Sequence, residues 1–313
     1  LHGVLQKIWI LTLPLLALVI VCGVPIGSVT YVSFLDYILI PVAGDALSRL
    51  FAIIFSIMAF AGGLYSLNHY RPSEITAAFI YAGSAIGVTF AGDLLTLFLF
   101  WELMAIGSTT ILMTTGTSRA LKAAMRYLMV HIFGGSLLLF GIIAHISGTG
   151  DLAFTPMQAN TFATWMILLG FLINAAAVPF SAWLPDAYPE ASPGGMVFLS
   201  AFTTKTAVYV LIRGFPGTDF LIYIGLGMVF YGIIYALLEN DMRRILAYSI
   251  VNQVGFMITG IGIGTEMALN GAAAHAFTHI IYKALLLMSA GSVLIMTGKR
   301  KCTDLGGLFQ SMP

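Results

Sequence analysis

Ionisable side chains occur inside the long apolar segments of this 313-residue sequence. Lys205 lies near the middle of the apolar segment 196–214, and Glu102 near the middle of the apolar segment 94–114. A charged side chain at the centre of a bilayer costs about 2.5–3.5 kcal/mol on insertion scales, so such residues face a partner or a wet cavity. We therefore expect Glu102 and Lys205 to take part in moving protons or ions. For Glu102, a carboxyl hydrogen-bonded for packing is the alternative.

Three further titratable residues share one helical stripe. His275, His279 and Lys283 follow each other at intervals of four, with Thr278 close by, so they lie on one face of a helix. A row of groups one turn apart suits a proton relay over about 12 Å. A structural network of His and Thr is the alternative. No Glu follows His275 as in HExxH and no third ligand is evident, so we expect no metal site.

The segment from Gly170 to Arg213 organises the chain: an apolar helix, a break at Pro179, a polar turn and a second apolar helix. Proline lacks the amide proton and clashes with the preceding turn. Within a membrane, a broken helix packs on protein or lines a cavity, because its freed carbonyl needs another partner. Asn174 precedes Pro179 by five residues and can supply hydrogen bonds there, although it cannot carry charge. His131 is either accessible from the cytoplasmic side or a satisfied polar core residue.

Composition defines the elements that must position these residues. The sequence is 59% hydrophobic and 9% charged, with a mean hydropathy of +0.97, whereas a soluble domain carries about 25% charged residues. Continuous apolar runs exclude transmembrane β-strands, which alternate. We predict an all-α, polytopic membrane helical bundle that forms a single transmembrane domain over 1–313. Its ten predicted helices are 8–24, 47–67, 74–92, 94–114, 121–146, 162–180, 196–214, 219–239, 245–264 and 268–297.

The basic residues test this count. If every segment spans, the connections alternate sides; ten of the Lys and Arg residues then fall on one side, and only Arg49 and Arg213 on the other. The ten are Lys7, Arg71, Arg119, Lys122, Arg126, Arg243, Arg244, Lys299, Arg300 and Lys301. Basic residues mark the cytoplasmic side. We therefore predict that both ends of the chain face the cytoplasm.

The remaining features exclude other classes of protein. A net charge of +1 leaves no nucleic-acid footprint, and the distant Cys22 and Cys302 suggest neither a disulfide framework nor a metal site. No flavin, iron–sulfur or haem ligand pattern occurs, so we expect no cofactor. The long connections 25–46 and 147–161 are predicted to be surface loops. The sequence starts without Met and shows no cleavable signal peptide, and we interpret it as a piece of a longer protein.

Long motifs resemble one family. The segments FWELM, VPFSAWLPDAY, TKTAVYVLIR, ENDMRRILAYSIVNQVGFM and HAFTHIIYKALLLMSAGSV together resemble the proton-conducting antiporter family. That family includes the large A-type and D-type subunits of Mrp-type Na⁺/H⁺ antiporters and the antiporter-like subunits of respiratory complex I. The likeness covers a core over residues 75–297, and the segments AWLPDAY and TKTAVY resemble the D-type branch. It implies a piece of an about fourteen-helix bundle built from two inverted five-helix repeats.

The resemblance also implies roles for individual residues. Glu102 matches the family's key glutamate and Lys205 its second central lysine, whereas His275, His279 and Lys283 match the relay across the subunit. One position departs from the pattern: Asn174 stands where the family's glutamate-pairing lysine lies. We therefore hypothesise that Lys205 pairs with Glu102 instead, or that this chain moves ions differently or not at all.

Three functions remain open at this stage. The first is a subunit of a multi-subunit antiporter that exchanges protons for Na⁺ or another monovalent cation, together with other membrane subunits, in the cell (inner) membrane. The second is a proton-pumping membrane subunit of a complex I-like NADH:quinone oxidoreductase or a membrane-bound hydrogenase. The third is a non-transporting scaffold subunit. In each case we expect a chain that is not catalytic by itself and would be part of a translocase only within a complex I-like enzyme.

Overall fold

Helices make up most of the computed structural model, which describes residues 3–35, 37–69, 71–310 and 312. Within these ranges, nine helical segments are long and apolar enough to cross a membrane, if the interrupted segment Pro193–Gly214 counts as one. The sixth predicted span is shorter. The helices are α1 (Val4–Gly23), α2 (Ala46–Ser66), α3 (Pro72–Phe90), α4 (Leu94–Thr114), α5 (Ser118–Thr149), α6 (Phe162–Asn174), α7 (Trp183–Ala187), α8 (Pro193–Ala201), α9 (Thr203–Gly214), α10 (Phe220–Leu238), α11 (Met242–Ile263) and α12 (Glu266–Thr297).

Polar residues at the helix starts explain where the helices begin. Asp45 accepts a hydrogen bond from the Ser48 amide at the start of α2, and Asp93 does the same for Thr96 at the start of α4. Such caps satisfy amides that have no partner inside the helix. At the other ends, Gly150, Gly264 and Gly298 adopt left-handed conformations that terminate α5, α11 and α12.

Contacts between the connections support the alternation expected from the basic residues. At the end that carries most of them, here called the basic end, Arg300 pairs with Asp241 at 2.8 Å and with Glu190 at 3.4 Å. The Arg243 guanidinium donates to the Ser192 carbonyl at 3.1 Å. At the opposite end, Arg213 pairs with Asp45. Each set of contacts joins connections that the sequence analysis predicts to lie on the same side, and none of them joins the two ends.

One connection at the opposite end is more ordered than expected. The stretch 25–46 was predicted to be a surface loop, but it holds an antiparallel hairpin of β1 (Val29–Phe34) and β2 (Tyr37–Ala43). The hairpin is anchored because the Ile40 amide donates to the Asp93 carboxylate at 2.6 Å, and the Gly92 amide donates to the Ile40 carbonyl at 2.9 Å. The exclusion of transmembrane strands is unaffected, because this hairpin lies outside the spans.

The first broken helix ends earlier than predicted. The segment 162–180 was expected to run as one helix to Pro179, yet α6 stops at Asn174. The amides of Ala176 and Ala177 bond back to the carbonyls of Ile173 and Leu172, a reversed pattern that closes a helix. Ala176 occupies the left-handed position with φ 58°. The chain then runs irregularly to Pro179 before the short helical turns that end at Glu190.

The second interruption was not predicted at all. The segment 196–214 was expected to be one helix, but it divides at Phe202 into α8 and α9. The Tyr81 hydroxyl of α3 inserts into the helical ladder there: it accepts from the Thr203 amide at 2.8 Å and donates to the Leu199 carbonyl at 3.4 Å. A side chain inserted into the ladder is a recognised cause of helix breaks.

Candidate functional site

Lys205 lies at the second break, fully buried, and its ammonium bonds to a backbone carbonyl. Nζ donates to the Ser200 carbonyl at 2.7 Å, one of the groups that the interrupted helix leaves without its usual amide. The break therefore supplies a hydrogen-bond acceptor inside the bundle, where none would exist beside an intact helix. Lys205 is also within electrostatic range of Lys283, His275 and His279.

The first and last residues of the predicted row on α12 bond to polar side chains of α11. The Lys283 ammonium donates to the Ser249 hydroxyl at 2.8 Å, and the His275 Nε2 lies 2.9 Å from the Gln253 Oε1. His279 is fully buried between them, with its ring centroid 6.1 Å from that of His275. Neither of its ring nitrogens has a hydrogen-bond partner among the described residues. An imidazole with both nitrogens free can accept a proton on one and release it from the other.

Several members of this network were missed from the sequence. Gln253 orients His275 and is itself held by the Asn252 side chain at 2.9 Å, while the Tyr282 hydroxyl donates to Gln253 at 3.2 Å. Asn252 in turn bonds to the Val229 carbonyl of α10 at 2.9 Å. The motif ENDMRRILAYSIVNQVGFM contains Asn252 and Gln253. Ser249 and Gln253 are four residues apart on α11, but this spacing predicts a polar face only when the helix that packs against it is known.

Glu102 lies apart from this row, half-buried against α5. Its carboxylate rests on Gly135, where an added Cβ would come within 2.1 Å of Oε1. Oε1 is buried without a hydrogen-bond partner, and no charged side chain acts electrostatically on the carboxyl among the described residues. His131 is one turn before Gly135 on α5 and is buried, with Nδ1 at 2.9 Å from the Tyr127 carbonyl.

The ion pair that we expected between Glu102 and Lys205 is not formed. The ion pairs among the described residues all lie at the two ends of the bundle, and none includes either residue. The physical reason is the break at Phe202, because the carbonyl it frees at Ser200 takes the ammonium. Asn174 is buried at the end of α6, and its Oδ1 has no partner within the described part of the chain. Its amide is neutral, so it does not replace the missing cation.

Buried hydroxyls connect α4 and α5 with the second break. The Tyr127 hydroxyl of α5 donates to Ser108 of α4 at 2.9 Å and lies 3.4 Å from the Thr203 hydroxyl at the second break. Thr203 also bonds to Tyr81. The side chains of α4, α5 and α9 thus meet through neutral groups rather than through opposite charges. The sequence offered no signal for this meeting, since the four residues come from four separate segments.

Interrupted helices and a buried row of ionisable side chains define a polytopic membrane protein with a polar path in its interior. Comparisons with known proteins agree. The family described as NADH:quinone oxidoreductase/Mrp antiporter, TM matches residues 91–313. The chain belongs to this family.

Individual relatives come from both kinds of complex. The sequence is 32% identical over 256 residues to the D-type subunit of the Na(+)/H(+) antiporter of Alkalihalophilus pseudofirmus, covering 75% of this chain and 51% of that protein. It is 29% identical over 259 residues to the M-type subunit of the NADH-quinone oxidoreductase of Pseudomonas aeruginosa, covering 74% of this chain and 51% of that protein. The chain thus spans about half the length of these relatives.

Solved structures share the fold. A chain of the membrane-bound sulfane sulfur reductase, an archaeal respiratory membrane complex, matches with a TM-score of 0.89 at 25% identity, covering 100% of this chain and 70% of that one. A chain of the Mrp complex from Dietzia sp. matches with a TM-score of 0.83 at 22% identity, covering 97% of this chain and 61% of that one. The helical bundle predicted from the sequence is therefore confirmed.

Proposed function

We propose that this chain is part of a membrane subunit of a multi-subunit antiporter that exchanges protons for Na⁺ or another monovalent cation. Membership of the family and the similarity to a D-type antiporter subunit support the exchange reaction. The partners are other membrane subunits of the same complex. The protein lies in the cell (inner) membrane with its basic end in the cytoplasm, because basic residues stay on that side.

The single observation that carries this proposal is the polar row on α12. His279 is buried, and neither ring nitrogen has a partner among the residues that the structure describes. It lies between the Gln253-bound His275 and the Ser249-bound Lys283 on α12. Ionisable groups are expensive in a membrane interior and are functional by default. We assign His275, His279, Lys283 and Lys205 to the proton path, and Glu102 to a gate that controls entry to it. We also assign Asn174, a neutral polar residue at the end of α6, to the ion pathway, because it stands where the family's glutamate-pairing lysine lies.

Transport by reconstituted protein tests the row. In the full-length subunit, assembled with its complex in proteoliposomes, we expect His279→Ala to slow Na⁺-driven proton movement by about a hundredfold, the scale of a lost acid–base group. Ser289→Ala is the matched control, since Ser289 lies on the same helix, is exposed and, among the described residues, bonds to the Leu285 carbonyl alone. A pH-sensitive dye inside the vesicles reports the rate. Unchanged transport in His279→Ala would show that the row is a structural network.

A second candidate is a proton-pumping subunit of a respiratory complex. The similarity to an M-type subunit of NADH-quinone oxidoreductase and the fold shared with a respiratory membrane complex favour it. The two candidates differ in what drives the protons. An imposed Na⁺ gradient should acidify or alkalinise the vesicles in the first case, whereas only electron transfer to quinone or another acceptor should do so in the second.

Variants at Asn174 test whether the chain is a non-transporting scaffold subunit. The variant Asn174→Lys introduces a cation on α6 as a candidate partner for Glu102. The variant Asn174→Leu introduces a side chain similar in size to lysine but without charge. Faster proton movement in the lysine variant alone would show that the native chain transports weakly for want of this charge. No transport in the native protein or in either variant would support the scaffold.

A further inference from the structure

A cluster of basic side chains at the start of α5 has no place in the proposed proton path. It surrounds a surface cavity of about 230 Å³ at the basic end. The ionisable residues that line the cavity are Arg119, Lys122, Arg126, Asp186, Glu190 and Arg244.

Two of the four cations lack a partner. Glu190 pairs with Arg119 at 3.9 Å and with Arg300, while Asp186 pairs with Arg244 at 3.8 Å. Lys122 and Arg126 form neither an ion pair nor a hydrogen bond among the described residues, and both are exposed. They are four residues apart on one helix, where like charges repel. The cavity therefore keeps two uncompensated positive charges close together, which an anion would stabilise.

The level of this cavity relative to the membrane points to the source of the anion. At 1.5 Å per residue α5 is roughly 48 Å long, about 18 Å more than the hydrocarbon thickness of a bilayer. Shared equally between the two ends, this excess puts about 9 Å of the helix start, roughly one and a half turns, at the level of the lipid headgroups. Arg126 is about 12 Å along the helix, at the boundary with hydrocarbon, where a long side chain extends towards the polar region.

The flank of the cavity is apolar. Leu121 and Met125 alternate with the two cations on α5 and are 44% and 49% exposed. A free phosphate would gain nothing from these side chains, whereas the acyl chains of a lipid would lie against them. The guanidinium of Arg126 presents a planar pair of donors that matches a phosphate group.

We propose that Lys122 and Arg126 bind the phosphate of an anionic phospholipid at the cytoplasmic surface, with its acyl chains against Leu121 and Met125. Arg119 and Arg244 stay paired with Glu190 and Asp186, which fixes the wall of the site. The site is independent of whether the chain moves protons, since none of the residues in the proposed path contributes to it.

Lipid titration tests this site in the full-length subunit with its complex, purified in a neutral detergent and stripped of lipid. Phosphatidylglycerol, phosphatidylcholine and inorganic phosphate are added separately, and native mass spectrometry counts the bound molecules. We expect phosphatidylglycerol to bind in preference to the other two. The double variant Lys122→Gln/Arg126→Gln should weaken that binding by about thirtyfold, from the typical contribution of two basic residues near a membrane.

Two controls make the result specific. Lys299→Gln/Lys301→Gln removes two exposed charges at the same end but outside the cavity, and it should change binding less than twofold. Lys122→Arg/Arg126→Lys keeps the charge and should retain binding, which separates a lost site from a misfolded chain. Equal losses in both Gln variants, or equal binding of phosphatidylcholine, would overturn the proposal. Binding of inorganic phosphate as tight as that of the lipid would identify a soluble anion instead. A photo-cross-link from position 122 to another subunit in the presence of saturating lipid would identify an acidic partner protein.

Discussion

Gly135 is the residue on which the position of Glu102 depends. With no side chain at 135, α5 approaches α4 closely enough for the carboxylate to lie against its backbone. A methyl group at that point would overlap Oε1, because the ideal Cβ position is 2.1 Å away. Glu102 is the flexible member of this contact, so the side chain would turn away while the helices kept their places.

This contact gives a residue-scale prediction. We expect Gly135→Ala to reduce proton transport by about tenfold or more while leaving assembly of the complex intact, because a displaced catalytic group commonly costs that much. Transport and complex yield are measured together. Gly148→Ala is the matched control on the same helix, since an added Cβ there meets nothing within 4 Å. Equal activities of the two variants would mean that the position of the Glu102 carboxylate does not matter.

The residue scale also shows what sequence could foretell. The spacing of His275, His279 and Lys283 fixes their shared face, because four residues complete about one turn. The partner of Lys205 could not be foretold, since Ser200 becomes an acceptor only when Tyr81, far away in sequence, opens the helix. A local sequence pattern describes one helix at a time, whereas the bond from Lys205 to Ser200 depends on α3, α8 and α9 together.

At the scale of elements, the end of α6 contains an unusual backbone conformation. Ala176 has φ 58°, a conformation that costs residues with a Cβ about 1–2 kcal/mol relative to glycine. Its neighbour Ala175 has φ −72° and is equally buried. The two positions therefore differ in backbone conformation and not in the methyl group that they bury.

We predict that Ala176→Gly destabilises the protein less than Ala175→Gly by about 1 kcal/mol. Both variants lose one buried methyl group, but only Ala176→Gly removes the cost of holding a residue with a Cβ in the left-handed conformation. Thermal or denaturant unfolding in detergent measures the difference. If the two variants unfolded alike, the left-handed conformation at the end of α6 would have to be absent in solution.

The ion pair at the opposite end gives an element-scale prediction with a pH dependence. Burial raises the pKa of the Asp45 carboxyl, but the Ser48 amide and the Arg213 guanidinium outweigh it and hold the pKa below its ordinary value. A carboxyl with a lowered pKa in the folded state contributes stability above its unfolded pKa of about 3.9, and that contribution is lost as the pH falls through the folded value. The joint between α2 and α9 should therefore weaken below about pH 4.

The substitution Arg213→Gln removes one of the two groups that lower the pKa of the Asp45 carboxyl. We expect the melting temperature of the variant to change less between pH 5 and pH 3 than that of the native protein, because the pKa of Asp45 moves back towards its unfolded value. Arg49→Gln is the control at the same end, since Arg49 donates to the Cys22 carbonyl and pairs with no carboxylate in the part of the chain that the structure describes. A pH dependence identical in all three proteins would exclude a contribution from the Asp45 pair.

Over the whole molecule, the apolar helices and the gathering of basic residues at one end could be predicted from the sequence, but most contacts between helices could not. Apolar length and the distribution of Arg and Lys are properties of single segments, so they could be interpreted without a partner. The interruption at Phe202 and the hairpin at Val29–Ala43 depend on other segments, namely α3 and the Asp93 turn. The separation of Glu102 from Lys205 also depends on another segment, because the break that binds Lys205 to Ser200 requires Tyr81 of α3.

The whole-molecule prediction concerns orientation. Cys302 lies at the basic end and is exposed, so a membrane-impermeant maleimide should label it from the cytoplasmic side only. In a variant with Cys22 and Cys302 replaced by Ser, Gly148→Cys should be labelled from the outside only, and Arg119→Cys from the cytoplasm only. Right-side-out and inverted vesicles provide the two exposures. Labelling of Arg119→Cys from outside would reverse the assigned orientation.

All but the ends of the span made of α8 and α9 are buried inside the protein. The span therefore has no surface that suits lipid, and it carries Lys205 and an open backbone at Phe202. During synthesis such a segment gains little from leaving the translocon alone, whereas α10 and α12 have broad apolar faces and can enter the bilayer early. The span that carries Lys205 would then be the last to enter the bundle, and the helices around it would first assemble without their central member. Chains in which α8 and α9 have not yet entered the bundle would expose polar interior surfaces to membrane proteases. Degradation of this protein should therefore depend on how fast α8 and α9 insert.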